Sequence, residues 1–129
     1  MNILGIGTDI VECCRIAEMI TEHGEAFLRR VFTEQEILYC NSHKRSTEHF
    51  AACWAAKEAI FQSLGLGLQG PLNWTDFEIN HDAKGKPKVY VGGQSKDYLQ
   101  SIRLMDIQIS LSHCRSFATA FAIALLEPS

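Results

Sequence analysis

Hydrophobic residues in the first half of the chain recur at helical spacing, except in an opening segment that alternates. Residues 2–11 are predicted as a strand, which Gly5 and Gly7 interrupt. Glycines inside a strand often mark a bulge or the close approach of another chain or a ligand. Four helices are predicted to follow, in residues 12–24, in residues 25–32, from a cap at Thr33 into residues 37–44, and from Ser46 or Thr47 to Leu64.

Signals at the helix ends support this assignment. In the Thr33-Glu34-Gln35-Glu36 sequence, the threonine oxygen can accept from the third helical amide while Glu36 reaches back to the cap. Gly24 and Gly65 stand where two of the helices are predicted to stop. The first half of the chain is therefore predicted to be mainly helical.

The second half changes to a period of two. WTDFEIN (residues 74–80) and KVYV (residues 88–91) are predicted as partner strands around a Gly/Pro turn. A short helix is predicted at 95–103, then two strands at 106–114 and 117–126 joined by a tight turn at Arg115 and Ser116. The mixture predicts a single-domain α+β fold, with helices packed on one side of a mostly antiparallel sheet.

Length and composition limit the possible functions. The chain has 129 residues, 47% of them hydrophobic, which suits one domain spanning residues 1–129. A net charge of −3 argues against a dedicated nucleic-acid binder. The start lacks a basic leader, and no run approaches the roughly 20 apolar residues of a membrane span. We therefore expect a soluble cytoplasmic protein with no nucleic-acid or membrane partner.

The cysteines indicate a reducing compartment. Their number is odd and no CxxC pair occurs, so a disulfide framework or a tetrahedral zinc site is not expected. Packed or free thiols are predicted instead at Cys13, Cys14, Cys40, Cys53 and Cys114.

Lys57 and Glu58 are adjacent charges within an otherwise apolar helical stretch. Helical spacing puts Lys57 at the centre of the apolar stripe, beside Cys53 and Phe61, and Glu58 on its flank. One interpretation is that Lys57 lays its stem on the core and keeps its ammonium in water, while Glu58 is an ordinary surface carboxylate. The alternative is that both residues serve a site, because lysine is almost never fully buried unless it is paired.

A second carboxylate, Asp9, favours the functional alternative. It follows the two glycines near the end of the predicted strand. Together with Glu58 it could hold Mg²⁺, an ion that prefers a few carboxylate oxygens, retained waters and a substrate's phosphate oxygens. Spacing alone is weak evidence, since two distant carboxylates in one chain are common.

Short motifs occur in a fixed order along nearly the full chain. They are GIGTDIVE at 5–12, Arg15-Ile16, Phe32-Thr33 with Glu36, WAAKEA at 54–59 ending at Gly65, GKP at 85–87 and SLSH at 110–113. In this order they resemble the holo-[acyl-carrier-protein] synthases, the small bacterial type of 4′-phosphopantetheinyl transferase. The resemblance implies that family's α+β fold.

The resemblance also implies an activity. Members transfer the phosphopantetheine arm of coenzyme A to a serine of apo acyl carrier protein, leaving adenosine 3′,5′-bisphosphate. They use Mg²⁺ and typically form homotrimers whose active sites lie between subunits. Such phosphoryl-type transfers depend mainly on positioning and charge neutralisation.

Matching motif positions imply roles for individual residues. Asp9 and Glu58 match the metal ligands, and Lys57 matches a lysine beside the phosphate site. The positions implied near the nucleotide are Lys86, Pro87, Ser112 and His113, and those implied to face the carrier protein are Arg15, Arg29 and Arg30. From its strand phase, His113 could equally be a hydrogen-bonded structural histidine, and Arg15 an ordinary solvated charge.

Two positions depart from the family pattern. The family commonly has lysine where this chain has Gln62 and arginine where it has Cys53, and both changes remove positive charge. We expect Gln62 to keep a weaker catalytic role through its amide. The alternative function is a weak or inactive paralogue that binds coenzyme A or a carrier protein, and a ligand-free assembly protein is a third, generic possibility.

Overall fold

The computed structural model describes residues 2–65 and 72–128. The terminal residues of the predicted 1–129 domain lie outside these ranges. In chain order the elements are β1 (Asn2–Glu12), α1 (Cys13–His23), α2 (Glu25–Val31), α3 (Glu34–Asn41), α4 (Ser46–Leu64), a 3₁₀ turn (Trp74–Asp76), β2 (Phe77–His81), β3 (Pro87–Val91), α5 (Gly93–Ser101), β4 (Leu104–His113) and β5 (Phe117–Leu126).

The strands are antiparallel throughout the described residues, which confirms the α+β prediction. They form two sheets, a three-stranded one in the order β1-β5-β4 and the β2-β3 hairpin. In the larger sheet Thr8 pairs with Phe121, and Leu111 pairs with Ala120. The predicted strand at 74–80 starts later than expected, because its first three residues form the 3₁₀ turn.

The predicted end signals are present. Thr33 Oγ1 accepts from the Glu36 amide at 3.2 Å, and Glu36 Oε1 accepts from the Thr33 amide at 2.8 Å. Gly65 ends α4 in the left-handed conformation, with φ of 77°. Among the described helices, none combines the length and apolarity needed to cross a membrane.

Helix α4 packs unusually close to β1 and β5. The residues of β5 that face α4 are alanines no more than 3% exposed, namely Ala118, Ala120, Ala122 and Ala124. At Gly7, a Cβ atom would stand 1.9 Å from the carbonyl oxygen of Ala59, and at Gly5 it would stand 2.3 Å from that of Ser63. The strand glycines therefore mark the close approach of α4. The register shift between Ile3 and Gly5 adds the bulge that was the other interpretation.

The opposite face of the three-stranded sheet is apolar and exposed. Its large side chains include Ile6 at 56%, Ile10 at 65%, Phe117 at 44% and Phe121 at 41% exposure. We call these four residues the outer sheet face. No described segment of the chain buries them, so this face is available to another chain.

Gly7→Ala is expected to destabilise the fold by about 3 kcal/mol or more, because the added methyl group overlaps rigid backbone of α4. Urea unfolding followed by circular dichroism measures the free energy. Gly92→Ala is the matched control: Gly92 has a φ of −133° and nothing within 4 Å of its Cβ position. Its expected cost is below about 1 kcal/mol. Equal costs for the two variants would contradict the close packing.

Candidate active site

Asp9 and Glu58 lie in the same cleft, between β1, α1 and α4. Asp9 follows Gly7 on the side of β1 that faces α4, and Glu58 stands on α4 one residue before Ala59, which touches Gly7. The cleft is also lined by Arg15, Glu18, Met19 and Trp54, among others. The structure therefore brings together two carboxylates that are far apart in the sequence.

The electrostatics of the cleft favour a cation. Burial raises the pKa of the Asp9 carboxyl, against a hydrogen bond from the Ile10 amide that lowers it. Burial also raises the pKa of Glu58, and the negative charge of Asp9 raises it further. A divalent cation between the two carboxylates would offset both the desolvation and the repulsion.

The donor set fits Mg²⁺. Two carboxylates supply hard oxygen ligands, and no cluster of three or more His, Cys, Asp or Glu side chains able to hold a metal ion occurs within residues 2–65 and 72–128. A cation in the cleft must therefore complete its shell with water or substrate oxygens, as Mg²⁺ commonly does.

Gln62 stands beside this pair. Its side-chain Oε1 accepts a hydrogen bond from the Thr8 amide at 3.1 Å, one residue before Asp9. Because β1 is an edge strand of its sheet, this bond ties the strand to α4 next to the candidate metal ligand. This contact places the Gln62 side chain near the two carboxylates, where the sequence predicted it, and its catalytic role stays a prediction.

Lys57 faces away from the cleft, and the structure contradicts its predicted position. It is 0% exposed, so it does not extend into water as one interpretation held. Its Nζ lies 2.7 Å from Glu36 Oε1, and it donates to the carbonyl oxygens of Val31 at 2.7 Å and Trp74 at 2.9 Å. Since an ammonium has three N–H donors, none is left for a substrate phosphate.

The sequence predicted the capping role of Glu36 but not its ion pair with Lys57. Besides capping α3, it receives the Lys57 ammonium on Oε1 and the Ile79 amide on Oε2 at 2.7 Å. The available signal was the lysine in an apolar stripe, which calls for a buried anion. Helical spacing could not identify Glu36 as that anion, because Glu36 lies 21 residues before Lys57 on a different helix.

The predicted nucleotide residues lie apart from the carboxylate cleft within one chain. Pro87 and His113 line a second cavity with Tyr39, His49 and His81, and this cavity shares no lining residue with the first. Lys86 and Ser112 are exposed, Lys86 beside Pro87 and Ser112 on β4. A single chain therefore does not bring the two groups of residues together.

His113 has a protein partner, as its structural interpretation required. Its Nδ1 lies 3.0 Å from Oε1 of Glu48, which also pairs with Arg45 at 3.6 Å. The imidazole side chain is nevertheless 31% exposed and borders the second cavity. Both interpretations of His113 thus keep a structural basis.

The three predicted carrier-facing arginines are all exposed. Arg15 lines the carboxylate cleft, whereas Arg29 and Arg30 lie in the last turn of α2. Arg29 is paired with Glu25 at 2.9 Å. Glu18 and Met19, which sequence reasoning missed, share the cleft with Arg15.

Cys53 is a packed thiol. It is 6% exposed and borders the second cavity, and burial raises its pKa well above the ordinary value. A neutral thiol at this position supplies no charge for a phosphate. All five cysteines are free, as predicted.

Comparison with known proteins places the chain in a family. The 4′-phosphopantetheinyl transferase superfamily pattern matches residues 5–122. The chain belongs to this superfamily. It is 44% identical over 120 residues to the holo-[acyl-carrier-protein] synthase of Protochlamydia amoebophila, covering 93% of this chain and 96% of the relative.

Solved transferase structures share the fold. The holo-[acyl-carrier-protein] synthase of Neisseria meningitidis matches with a TM-score of 0.89 at 32% identity, over 96% of this chain and 99% of that one. The Bacillus anthracis synthase, solved in complex with CoA (3′,5′-ADP), matches with a TM-score of 0.80 at 31% identity, over 97% and 98% of the two chains. The transferase-like fold inferred from the sequence is thereby confirmed.

An aromatic cluster beside the second cavity of this transferase was missed, because its members are scattered in the sequence. Tyr39 stacks on His81 at 4.2 Å between ring centroids, and His43 stacks on His49 at 3.8 Å. His49 also meets His113 at 4.9 Å. Four imidazoles thus crowd together where α3, α4, β2 and β4 meet.

Acidification is expected to destabilise the protein through His49. Burial lowers its pKa in the folded state, and His43 and His113 lower it further, against Glu48. The unfolded chain, with a histidine pKa near 6.5, therefore takes up its proton first. The stability contribution is unchanged above about pH 6.5 and is lost as the pH falls below it.

Urea unfolding of wild type and His49→Gln between pH 7.5 and 5.5 measures this effect. The variant is expected to lose stability less steeply than wild type on acidification. His23→Gln, at an exposed position outside the cluster, is the control and is expected to follow the wild-type curve. Parallel curves for wild type and His49→Gln would contradict the effect.

Proposed function

We propose that the chain, residues 1–129, is one catalytic domain that transfers 4′-phosphopantetheine from coenzyme A to a serine of apo acyl carrier protein. Adenosine 3′,5′-bisphosphate is the other product. The observation that carries the proposal is the Asp9–Glu58 pair in one cleft of a 4′-phosphopantetheinyl transferase fold. The synthases that it resembles carry this activity in their names.

Asp9 and Glu58 would hold Mg²⁺, which when bound supplies positive charge to the pyrophosphate oxygens of coenzyme A. The half-buried carboxylates keep this charge in an environment where it acts strongly. Gln62 is fixed through its oxygen to the Thr8 amide, and its amide nitrogen can donate a hydrogen bond to the substrate. Lys57 supports the site without contacting the substrate.

The active protein is a homotrimer with active sites between subunits. The outer sheet face supports this assembly, because an exposed group of two isoleucines and two phenylalanines is typical of an interaction surface. The separation of His113 and Pro87 from Asp9 within one chain also supports it. In a trimer, the nucleotide residues of one subunit would complete the carboxylate cleft of its neighbour, together with Lys86 and Ser112.

Carrier protein docks beside the carboxylate cleft. Arg15 is exposed in the cleft, and Arg29 and Arg30 extend the basic surface along α2. Acyl carrier proteins are acidic, so these charges would favour and orient the encounter. The net charge of −3 gives no support for nucleic acid as a partner, and the free cysteines support a reducing compartment such as the cytoplasm.

The alternative of a weak or inactive paralogue rests on Gln62 and Cys53, which carry no positive charge. Retention of both carboxylates in one cleft favours catalysis over this alternative. The alternative predicts binding of coenzyme A or of a carrier protein, and only catalysis changes the mass of the carrier protein.

Wild-type protein is expected to convert apo acyl carrier protein to its holo form in the presence of coenzyme A and Mg²⁺. Asp9→Asn and Glu58→Gln are each expected to lower the rate at least about 100-fold, because each removes one charged oxygen ligand of the cation. Mass spectrometry of the carrier measures the transfer, and circular dichroism confirms that the variants are folded.

Asp97→Asn, an exposed change on α5, is the matched control and is expected to retain wild-type activity. Coenzyme A binding without a mass increase in the wild-type reaction would favour the inactive paralogue. Full activity of either carboxylate variant would remove the metal assignment.

Light scattering is expected to give three times the 14.5 kDa mass of the chain at micromolar concentration. Phe121→Glu places a charge in the outer sheet face and is expected to yield monomers. Leu38→Glu changes an apolar residue of α3 that is 60% exposed, and is expected to leave the trimer intact. A monomeric wild type, or dissociation by both variants, would contradict this interface.

A further inference from the structure

Lys57 and Glu36 form a buried ion pair on the side of α4 that faces away from β1. The two residues are 0% and 2% exposed, and their charged atoms are 2.7 Å apart. Burying two charges is unfavourable unless the geometry is good and the remaining donors and acceptors are satisfied. This pair meets that condition, since the Lys57 ammonium has two further acceptors and both Glu36 oxygens have donors.

The buried pair links α4 to four other segments. Lys57 reaches Val31 at the end of α2 and Trp74 in the 3₁₀ turn. Through Glu36 it is joined to α3, and the second Glu36 oxygen continues to Ile79 on β2. A single side chain of α4 is therefore fixed at its tip by several directional bonds.

The bonds of the buried pair restrain rotation of α4 about its own axis, in addition to the packing of the helix against β1. Small residues at Gly7 and Ala59 set how close α4 comes to β1. On that side the Thr8 amide also donates to Gln62 Oε1, and elsewhere Trp54 and Phe61 of α4 pack on Trp74. The buried pair adds a directional restraint on rotation of α4 about its axis, since turning the helix would pull the Lys57 ammonium from its three acceptors.

Glu58 is the next residue on α4, so its direction depends on the same rotation. Successive side chains leave an α-helix about 100° apart, and a fixed Lys57 therefore fixes the direction of Glu58. We propose that Lys57 and Glu36 are positioning residues, which hold α4 at the rotation where Glu58 meets Asp9 and the pair can bind a divalent cation. This inference rests on the proposed function for the identity of the cation site.

Cation affinity tests this role separately from catalysis. Mn²⁺ serves as the probe, and the electron paramagnetic resonance signal of the free ion measures binding to the full chain with coenzyme A present. Asp9→Asn gives the free-Mn²⁺ signal expected when the proposed cation site is lost. Glu36→Gln/Lys57→Met removes both charges while leaving an acceptor at residue 36, so no unpaired charge remains buried.

The double variant is expected to bind Mn²⁺ about 10- to 100-fold more weakly than wild type, as for other losses of groups that orient metal ligands. Lys57→Met alone is expected to show at least the same loss if it folds, and the double variant keeps the test valid if it does not. Phe50→Leu is the control for lost stability, because Phe50 is buried in α4 eight residues before Glu58. Phe50 packs on Phe32 near the pair, but the change removes neither the ion pair nor a hydrogen bond of Lys57, so its Mn²⁺ affinity is expected to stay within about twofold of wild type.

Three results would overturn the inference, and each assigns the failure to a different cause. A folded double variant with wild-type Mn²⁺ affinity would show that the buried pair only stabilises the fold, and the proposed function would stand. A loss of affinity in Phe50→Leu as large as in the double variant would assign the effect to general destabilisation. Wild type that binds Mn²⁺ no better than Asp9→Asn would instead remove the cation site, and with it both proposals.

Discussion

The contact between α4 and β1 is the constraint on which the rest of the structure depends. At Gly7 the strand backbone comes so near the carbonyl oxygen of Ala59 that no side chain fits between them. Alanines on β5 extend the same tight contact across the sheet. Because the strand and the helix are this close, carboxylates that extend from each of them, Asp9 and Glu58, reach one cleft. A bulkier interface would separate them by about the thickness of a side chain.

The two sides of α4 make different kinds of contact. On the sheet side, small residues allow close approach, and the hydrogen bond from the Thr8 amide to Gln62 joins the strand to the helix. On the other side, Lys57 and Glu36 supply directional bonds to neighbouring segments at the cost of burying two charges. Replacement of such a pair by hydrophobic residues is often neutral for stability, so stability alone gives no strong reason for it. The proposed orientation of the neighbouring Glu58 explains the buried pair where stability does not.

Local signals made much of the fold predictable, whereas long-range partners were not. The capping box at Thr33 and the left-handed end at Gly65 are properties of a few adjacent residues, and both are present. The family motifs located Asp9 and Glu58, although spacing alone was weak evidence. The burial of Lys57 could not be read from its helix, because its partner Glu36 lies on another helix. The same limit hid the histidine cluster, whose rings come from separate helices and strands.

Gln62 shows how a departure from the family pattern can be consistent with the local geometry. Its side-chain oxygen accepts from the Thr8 amide on the edge strand β1, directly before Asp9. A lysine at this position has only donors, so it could not accept from that amide. Compared with the family pattern, the chain therefore lacks a positive charge near the cleft and has a bond that ties β1 to α4 beside Asp9, the proposed metal ligand. Since transfer to a phosphorus centre depends on both charge neutralisation and positioning, we expect this exchange to weaken the neutralisation and to strengthen the positioning.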